Sequence, residues 1–186
     1  MDETTTLEKR WKTLEKNYII QRPWLTVRCD KVELHNGTVI PDYYVIEYPT
    51  WVNTIAVTED GKMIMIRQYR YALGVYKYEL CAGTMDETDA SPLETAQREL
   101  MEETGFGGGT WQEFMTLSPN PTSMNNLCHT FLATGVKKTG KQHLDDTEDL
   151  TCELLDSDTV YDLLQRGEIV QSLMAAPLWK YFKDRK

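Results

Sequence analysis

From Pro23 onward the apolar positions fall into short runs with a strand-like period, broken by turn residues. The runs WLTVRCDKVEL and TVIPDYYVIEY are rich in β-branched and aromatic residues and are separated by His35-Asn36-Gly37. Asn-Gly between two such runs is the strongest short hairpin signal. VNTIAVT and MIMIRQYRY, joined by Glu59-Asp60-Gly61-Lys62, predict a second hairpin, and YKYELCAG a further strand. The period then changes. Ser91-Pro92 combines an N-cap residue with a proline at the first helical position, so LETAQRELMEET is expected as a helix that stops at Gly105. Strands return in WQEFMTLS, CHTFLATGV and LTCELL, and helices in DTVYDLLQRG and SLMAAPLWKYF. The first twenty residues read as a short helix or a loose arm. Strands, helix, strands, helices in that order indicate α+β, or a mixed sheet flanked by helices.

On the helix from Leu93 to Thr104, the residues Leu93, Ala96 and Leu100 share one face and are expected to pack on the sheet. Glu99 and Glu103, four apart, share an adjacent stripe with Glu102 beside it. Like charges at this spacing destabilise a helix by a few tenths of a kcal/mol, which is about the size of one favourable pair. The last turn also disfavours anions through the helix dipole. Local stability therefore does not explain the three carboxylates, whereas a hard divalent cation such as Mg²⁺, which takes oxygen ligands, does. Arg98 is placed to orient a carboxylate through its planar fork.

Bulk properties narrow the classes. There are 20 Lys and Arg against 29 Asp and Glu, a net charge of −9, which argues against general nucleic-acid binding. No apolar run approaches the roughly 20 residues needed to cross a membrane. The charged N-terminal stretch MDETTTLEKRWKTLEKNY is not a secretory signal. Cys29, Cys81, Cys128 and Cys152 form no CxxC pair, so reduced thiols in the cytoplasm are expected rather than a zinc site or disulfides.

The residues Gly83, Arg98, Glu99, Leu100, Glu102, Glu103, Gly105 and Phe106 match the box G-x5-E-x7-R-E-U-x-E-E-x-G-U, where U is apolar. On this string the chain resembles the Nudix hydrolases. There are two departures: the interval from Gly83 to Arg98 is one residue longer than the pattern, and its first glutamate falls on Asp89 counting from Gly83 or on Ala90 counting back from Arg98. MIRQYR with YELCAG, SPNPTSMNNLCHTFLATG, and the acidic DDTEDL are similar to the ADP-ribose and nucleotide-diphosphate-sugar pyrophosphatases of that family.

The resemblance implies an α/β/α sandwich with a mixed sheet and an N-terminal antiparallel β-extension. It divides the chain into an arm and hairpin over 1–50, expected to pair protomers into a homodimer, and a catalytic domain over 51–186. It implies attack of water on a pyrophosphate, giving a nucleoside monophosphate and a sugar phosphate. Glu99 and Glu103, with Glu102 and the main-chain oxygen of Ala82, would hold Mg²⁺, for which Mn²⁺ substitutes. Glu148 or Asp146 on the acidic loop would take the proton. Arg70 is favoured over Arg67 for the diphosphate, Glu79 would bind ribose or support the metal shell, and Trp51, Tyr44 and Tyr69 are candidates to stack on a base. The competing readings are hydrolysis of (deoxy)nucleoside triphosphates or dinucleotides, and a non-catalytic nucleotide-sugar sensor. The β-extension and the proline after the box favour the sugar branch, and the intact glutamates favour catalysis.

Overall fold

The computed structural model describes residues 10–144 and 149–185. These divide into two compact units, one of residues 10–48 with 120–126, the other of 49–119 with 127–185. The first unit is an antiparallel meander of β1 (Lys12–Arg22), β2 (Leu25–Glu33) and β3 (Val39–Glu47). The expected hairpin at Asn36-Gly37 joins β2 and β3. Gly37 has φ +84°, and the Asn36 Oδ1 accepts the Thr38 N–H at 3.0 Å.

β1 corrects the expectation of a helix or loose arm. WKTLEK has helix formers, but the backbone from Lys12 to Arg22 pairs with β2 along its whole length, Lys12 opposite Glu33 and Arg22 opposite Leu25. Tyr18, Ile19 and Ile20 are β-formers, and a full ladder outweighs propensities worth tenths of a kcal/mol per residue. Residues 120–126 join this unit because Ile46 N–H donates to the Ser123 oxygen at 2.7 Å and the Tyr43 hydroxyl to the Thr122 oxygen at 2.5 Å.

The second unit holds β4 (Trp51–Thr58), β5 (Met63–Arg70), β6 (Val75–Glu79), β7 (Cys81–Thr84), α1 (Pro92–Thr104), β8 (Phe106–Gly107), β9 (Thr110–Leu117), β10 (Cys128–Lys138), β11 (Leu150–Leu155), α2 (Ser157–Gln165) and α3 (Ser172–Asp184). Its sheet runs β11-β5-β4-β10-β8, with β6 on β5, β7 on β4 and β9 on β10. β4 and β10 are parallel and the other pairs antiparallel, so the sheet is mixed. Odd positions Ile55, Val57, Met63 and Met65 pack on Val160, Leu163, Leu164 and Leu178 of α2 and α3. Even positions face the other way, Ala56, Ile64 and Ile66 with Leu100, and Val52 with Ala96 of α1. That alternation, the period-2 rule applied to strands buried on both faces, makes an α/β/α sandwich. Leu93, in the first turn of α1, stays 37% exposed rather than packing with Ala96 and Leu100.

Two details deliver the site. The β4–β5 turn forms as expected, but its ladder has one pair, Val57 opposite Met63. β5 then pairs with β6 and β4 with β7, so YKYELCAG is two strands that change partner at Leu80. At the far end of β4, Asn53 is buried and donates its amide to the Leu173 oxygen at 2.9 Å. Pro177 lies four residues on within α3 and has no N–H to offer that oxygen, so the asparagine fills the gap. Among the described residues no helix is long and apolar enough to cross a membrane.

Candidate active site

Helix α1 begins and ends on local chemistry. The Ser91 hydroxyl accepts the Glu94 N–H at 3.2 Å, and the Glu94 carboxylate accepts the Ala90 N–H at 2.8 Å. Gly105 takes φ +70° and returns its N–H to the Met101 oxygen at 2.7 Å, a left-handed ending that glycine adopts without steric cost. The last carbonyls are met from outside the helix. The His143 N–H donates to the Glu102 oxygen at 2.8 Å, and the Gln142 side chain and Lys138 ammonium donate at 2.7 Å to the oxygens of Glu103 and Thr104. The chain is thereby anchored to the end of α1 just before the acidic loop. Asp146 and Glu148, the expected proton acceptors, lie outside the described residues.

Glycine at position 83 has a steric reason. A Cβ there would lie 2.0 Å from the Cδ of Glu99, so the carboxylate rests against bare backbone of β7. Arg98 gathers the neighbouring acids. Its Nη1 lies 3.1 Å from Glu99 and 2.9 Å from Glu102, and its Nη2 donates to the Thr84 oxygen at 3.2 Å. On the far side Asp89 grips the same guanidinium, taking Nε at 3.2 Å and Nη2 at 3.0 Å. Asp89 also accepts from the Thr95 hydroxyl and the Asp86 N–H, both at 3.0 Å.

Asp89 is therefore the residue that answers to the box's first acid, which counting along the sequence left open between Asp89 and Ala90. Its hydrogen bond to Arg98, then that from the Asp86 backbone, hold its pKa down to about 2. A depressed pKa means that the stabilisation is fully present above the ordinary value near 3.8 and is lost as pH falls through 2. Asp89→Asn should cost about 1.5–3 kcal/mol at pH 7, the range for a hydrogen bond to a charged group. In urea unfolding the deficit should shrink between pH 4 and pH 2; a variant as stable as the parent at pH 7 would remove Asp89 from this role.

Glu103 is buried and accepts the Ala82 N–H at 3.2 Å. Beside it the Cys81 thiol has its pKa pushed well up, by burial first and then by the charge of Glu103. Arg70 and Glu79, expected as separate substrate contacts, form a two-pronged ion pair. Nε to Oε1 is 2.7 Å, with Nη2 on Oε2, and Glu79 is buried. Arg67 faces the opposite side of β5, its guanidinium 5.1 Å over the Tyr76 ring. Tyr69 packs on Tyr76 at 5.2 Å, and Trp51 starts β4 half-buried opposite Thr84. The structure thus brings together Arg98 with Glu99 and Glu102, Ala82 with Glu103, and Arg70 with Glu79. Among the described residues no three His, Cys, Asp or Glu side chains already converge as a metal-binding group. The donors nonetheless suit a hard divalent cation, since they are carboxylate oxygens on one helix, with Glu99 admitted to the strand by the missing Cβ of Gly83.

The chain is similar to known proteins. A family model described as nucleoside diphosphate sugar hydrolase N-terminal domain matches residues 11–46, and one described as NUDIX domain matches 48–173. An ADP-ribose pyrophosphatase of Bacillus subtilis is 31% identical over 161 residues, covering 81% of this chain and 86% of that protein. One of Mycobacterium tuberculosis is 29% identical over 91% of this chain and 82% of its own. A methanol dehydrogenase activator of Bacillus methanolicus is 30% identical over 74% of each. The crystal structure of an ADP compounds hydrolase superposes with a TM-score of 0.80 at 22% identity, covering 95% of this chain and 96% of that one, a likeness of fold. With the domain matched over 48–173 and its box residues assembled along α1 and β7, the chain belongs to the Nudix family.

Proposed function

We propose that this protein hydrolyses the pyrophosphate bond of nucleoside diphosphate sugars, ADP-ribose first among them and GDP-mannose second, to a nucleoside monophosphate and a sugar phosphate. The observation that carries the reading is the joint placement of Glu99, Glu102 and Glu103 around Arg98, Gly83 and Ala82, in a chain whose N-terminal region matches the sugar-hydrolase extension. Glu99, Glu102 and Glu103, with the main-chain oxygen of Ala82, would hold Mg²⁺, or Mn²⁺ in its place. Such an ion, when bound, neutralises phosphate oxygens and lowers the pKa of an attacking water.

The chain's own groups do the rest. Arg98, locked by Asp89, keeps two carboxylates from turning away. Arg70 offers a guanidinium to the diphosphate, and Glu79 fixes its orientation. Glu148 or Asp146 accepts the proton from water. A panel of ADP-ribose, GDP-mannose, UDP-glucose, NADH and dATP with Mg²⁺ tests the reading. ADP-ribose should yield AMP and ribose 5-phosphate, and EDTA should abolish turnover. Turnover of dATP or NADH alone would favour the triphosphate or dinucleotide reading. No phosphate-bearing product from any nucleotide sugar, with Mg²⁺ or Mn²⁺ present, would favour the sensor.

The protein is further proposed to be a cytoplasmic homodimer. All eleven residues of β1 are exposed, among them Leu14, Tyr18, Ile19 and Ile20. A two-sided, uncovered sheet is a surface that a second copy of the chain would bury. Sedimentation should give a dimer at micromolar concentration; a monomer would count against it. The four cysteines are free thiols, in keeping with a reducing compartment.

A further inference from the structure

The change of partner at Leu80 leaves one backbone group outside both ladders. β6 ends at Glu79, opposite Ile66 of β5, and β7 begins at Cys81, opposite Thr54 of β4; Leu80 pairs with neither strand. Leu80 is 1% exposed, and a buried N–H without an acceptor is costly. This N–H donates to the Met174 sulfur at 3.3 Å, from a residue 94 positions later in the first turn of α3. Met174 is itself buried. Packing alone does not ask for sulfur here, because leucine fills nearly the same volume. What leucine lacks is the acceptor.

Neighbouring contacts fix where that sulfur sits. The Gln171 side chain accepts the Leu173 N–H at 3.1 Å, and the Gln171 main-chain oxygen accepts the Met174 N–H at 3.0 Å. The Asn53 amide donates to the Leu173 oxygen, and Asn53 stands directly opposite Ala82 in the β4–β7 ladder. Directly opposed residues share a sheet face, so Ala82 turns its methyl toward α3, where it packs on the α2–α3 core. Its N–H meets the Glu103 carboxylate at 3.2 Å. The first turn of α3 thus backs the short stretch from Glu79, which holds Arg70, to Ala82.

We infer that Met174 is a positioning residue. By taking the Leu80 N–H it holds the backbone from Glu79 to Ala82, and so sets the Ala82 N–H and oxygen for Glu103 and a divalent cation. The inference rests on the metal-dependent reading proposed above. Groups one step behind a metal ligand fix its orientation, and losing one typically weakens metal binding about 10–100-fold. A thioether is a weak acceptor, so the low end is expected here. Met174 acts through the backbone of β7 rather than by touching substrate.

The test is binding rather than turnover. Mn²⁺ is titrated into the full-length protein without substrate, and free Mn²⁺ is followed by its paramagnetic resonance signal. Met174→Leu should bind Mn²⁺ about tenfold more weakly, and its Leu80 amide should exchange hydrogen faster than in the parent. Leu163→Val shortens a side chain of the same core without removing the acceptor. It should lower the thermal midpoint and leave Mn²⁺ affinity unchanged. An unchanged Mn²⁺ affinity in Met174→Leu, even with a lower thermal midpoint, would overturn the inference alone. So would a Leu80 amide that exchanges no faster in that variant. Equal weakening in Leu163→Val would also overturn it, since any loosening of the core would then act alike. A parent protein that binds no Mn²⁺ would overturn the metal reading and the inference with it.

Discussion

Glu103→Gln should lower kcat at least about 10²-fold with Mg²⁺, while the urea midpoint of unfolding changes little. The two expectations have separate causes. Glutamine has nearly the volume of glutamate and keeps an oxygen that can accept the Ala82 N–H, so the packing of this buried side chain against β7 survives. What is lost is the negative charge. Before a cation binds, that charge has company: Glu99 and Glu102 lie on the same helix, held by Arg98, and Arg70 on β5 feels the charge of Glu103 itself. Removing one like charge from the last turn of α1 relieves repulsion and the unfavourable helix dipole, which offsets the weakened hydrogen bond. The deficit should therefore appear in turnover and in metal affinity, with KM for the nucleotide sugar changed far less. Near-normal kcat would sink the assignment of Glu103 as a metal ligand.

Gly83→Ala should also cost about 10²-fold in kcat, by displacement rather than loss of a ligand, since a misplacement of about 1 Å is enough for that. Gly83 sits in the β4–β7 ladder opposite Val52 and is absent from the glycines with positive φ, so alanine suits its backbone. The conflict is with a side chain: the new Cβ would fall 2.0 Å from the Glu99 Cδ and Oε1 and 2.5 Å from Oε2. Glu99 has a flexible stem and would swing away, so the fold should hold and the site should not. The double variant makes the argument sharp. If Gly83→Ala acts only by moving Glu99, it should cost nothing further in a Glu99→Ala background, a strongly non-additive cycle. Losses that multiply would mean that the glycine serves something other than Glu99.

Much of this site was legible in the sequence because its parts are local. The Ser91 cap, Pro92 and the Gly105 ending are each decided within a turn of helix, and the spacing of Glu99, Glu102 and Glu103 follows once the helix is granted. The Asn36-Gly37 hairpin is local in the same sense. The acidic loop was legible as composition, but its Asp146 and Glu148 fall outside the described residues, so their roles stay proposals.

The remainder depended on partners distant in the chain. Whether Asp89 or Ala90 takes the place of the box's first acid cannot be counted out when the loop is one residue longer than the pattern. It is decided by which side chain reaches Nε and Nη2 of Arg98, nine residues away. Arg70 and Glu79 read as two independent contacts because periodicity does not show that β5 and β6 bring them face to face. The first twenty residues read as a short helix or loose arm, and the ladder of Lys12–Arg22 with β2 that overrides that reading is invisible until both strands are in place.

What the sequence by itself determined is the family, the box helix and its carboxylates, since caps, turns and residue spacing act over a few residues. What only the tertiary structure decided is the strand at the N-terminus, the change of partner at Leu80, and the pairings of Asp89 with Arg98 and Glu79 with Arg70. The reason is physical: cross-strand hydrogen bonds and ion pairs take their energy from residues far apart in the chain, and no local propensity encodes which of those will meet.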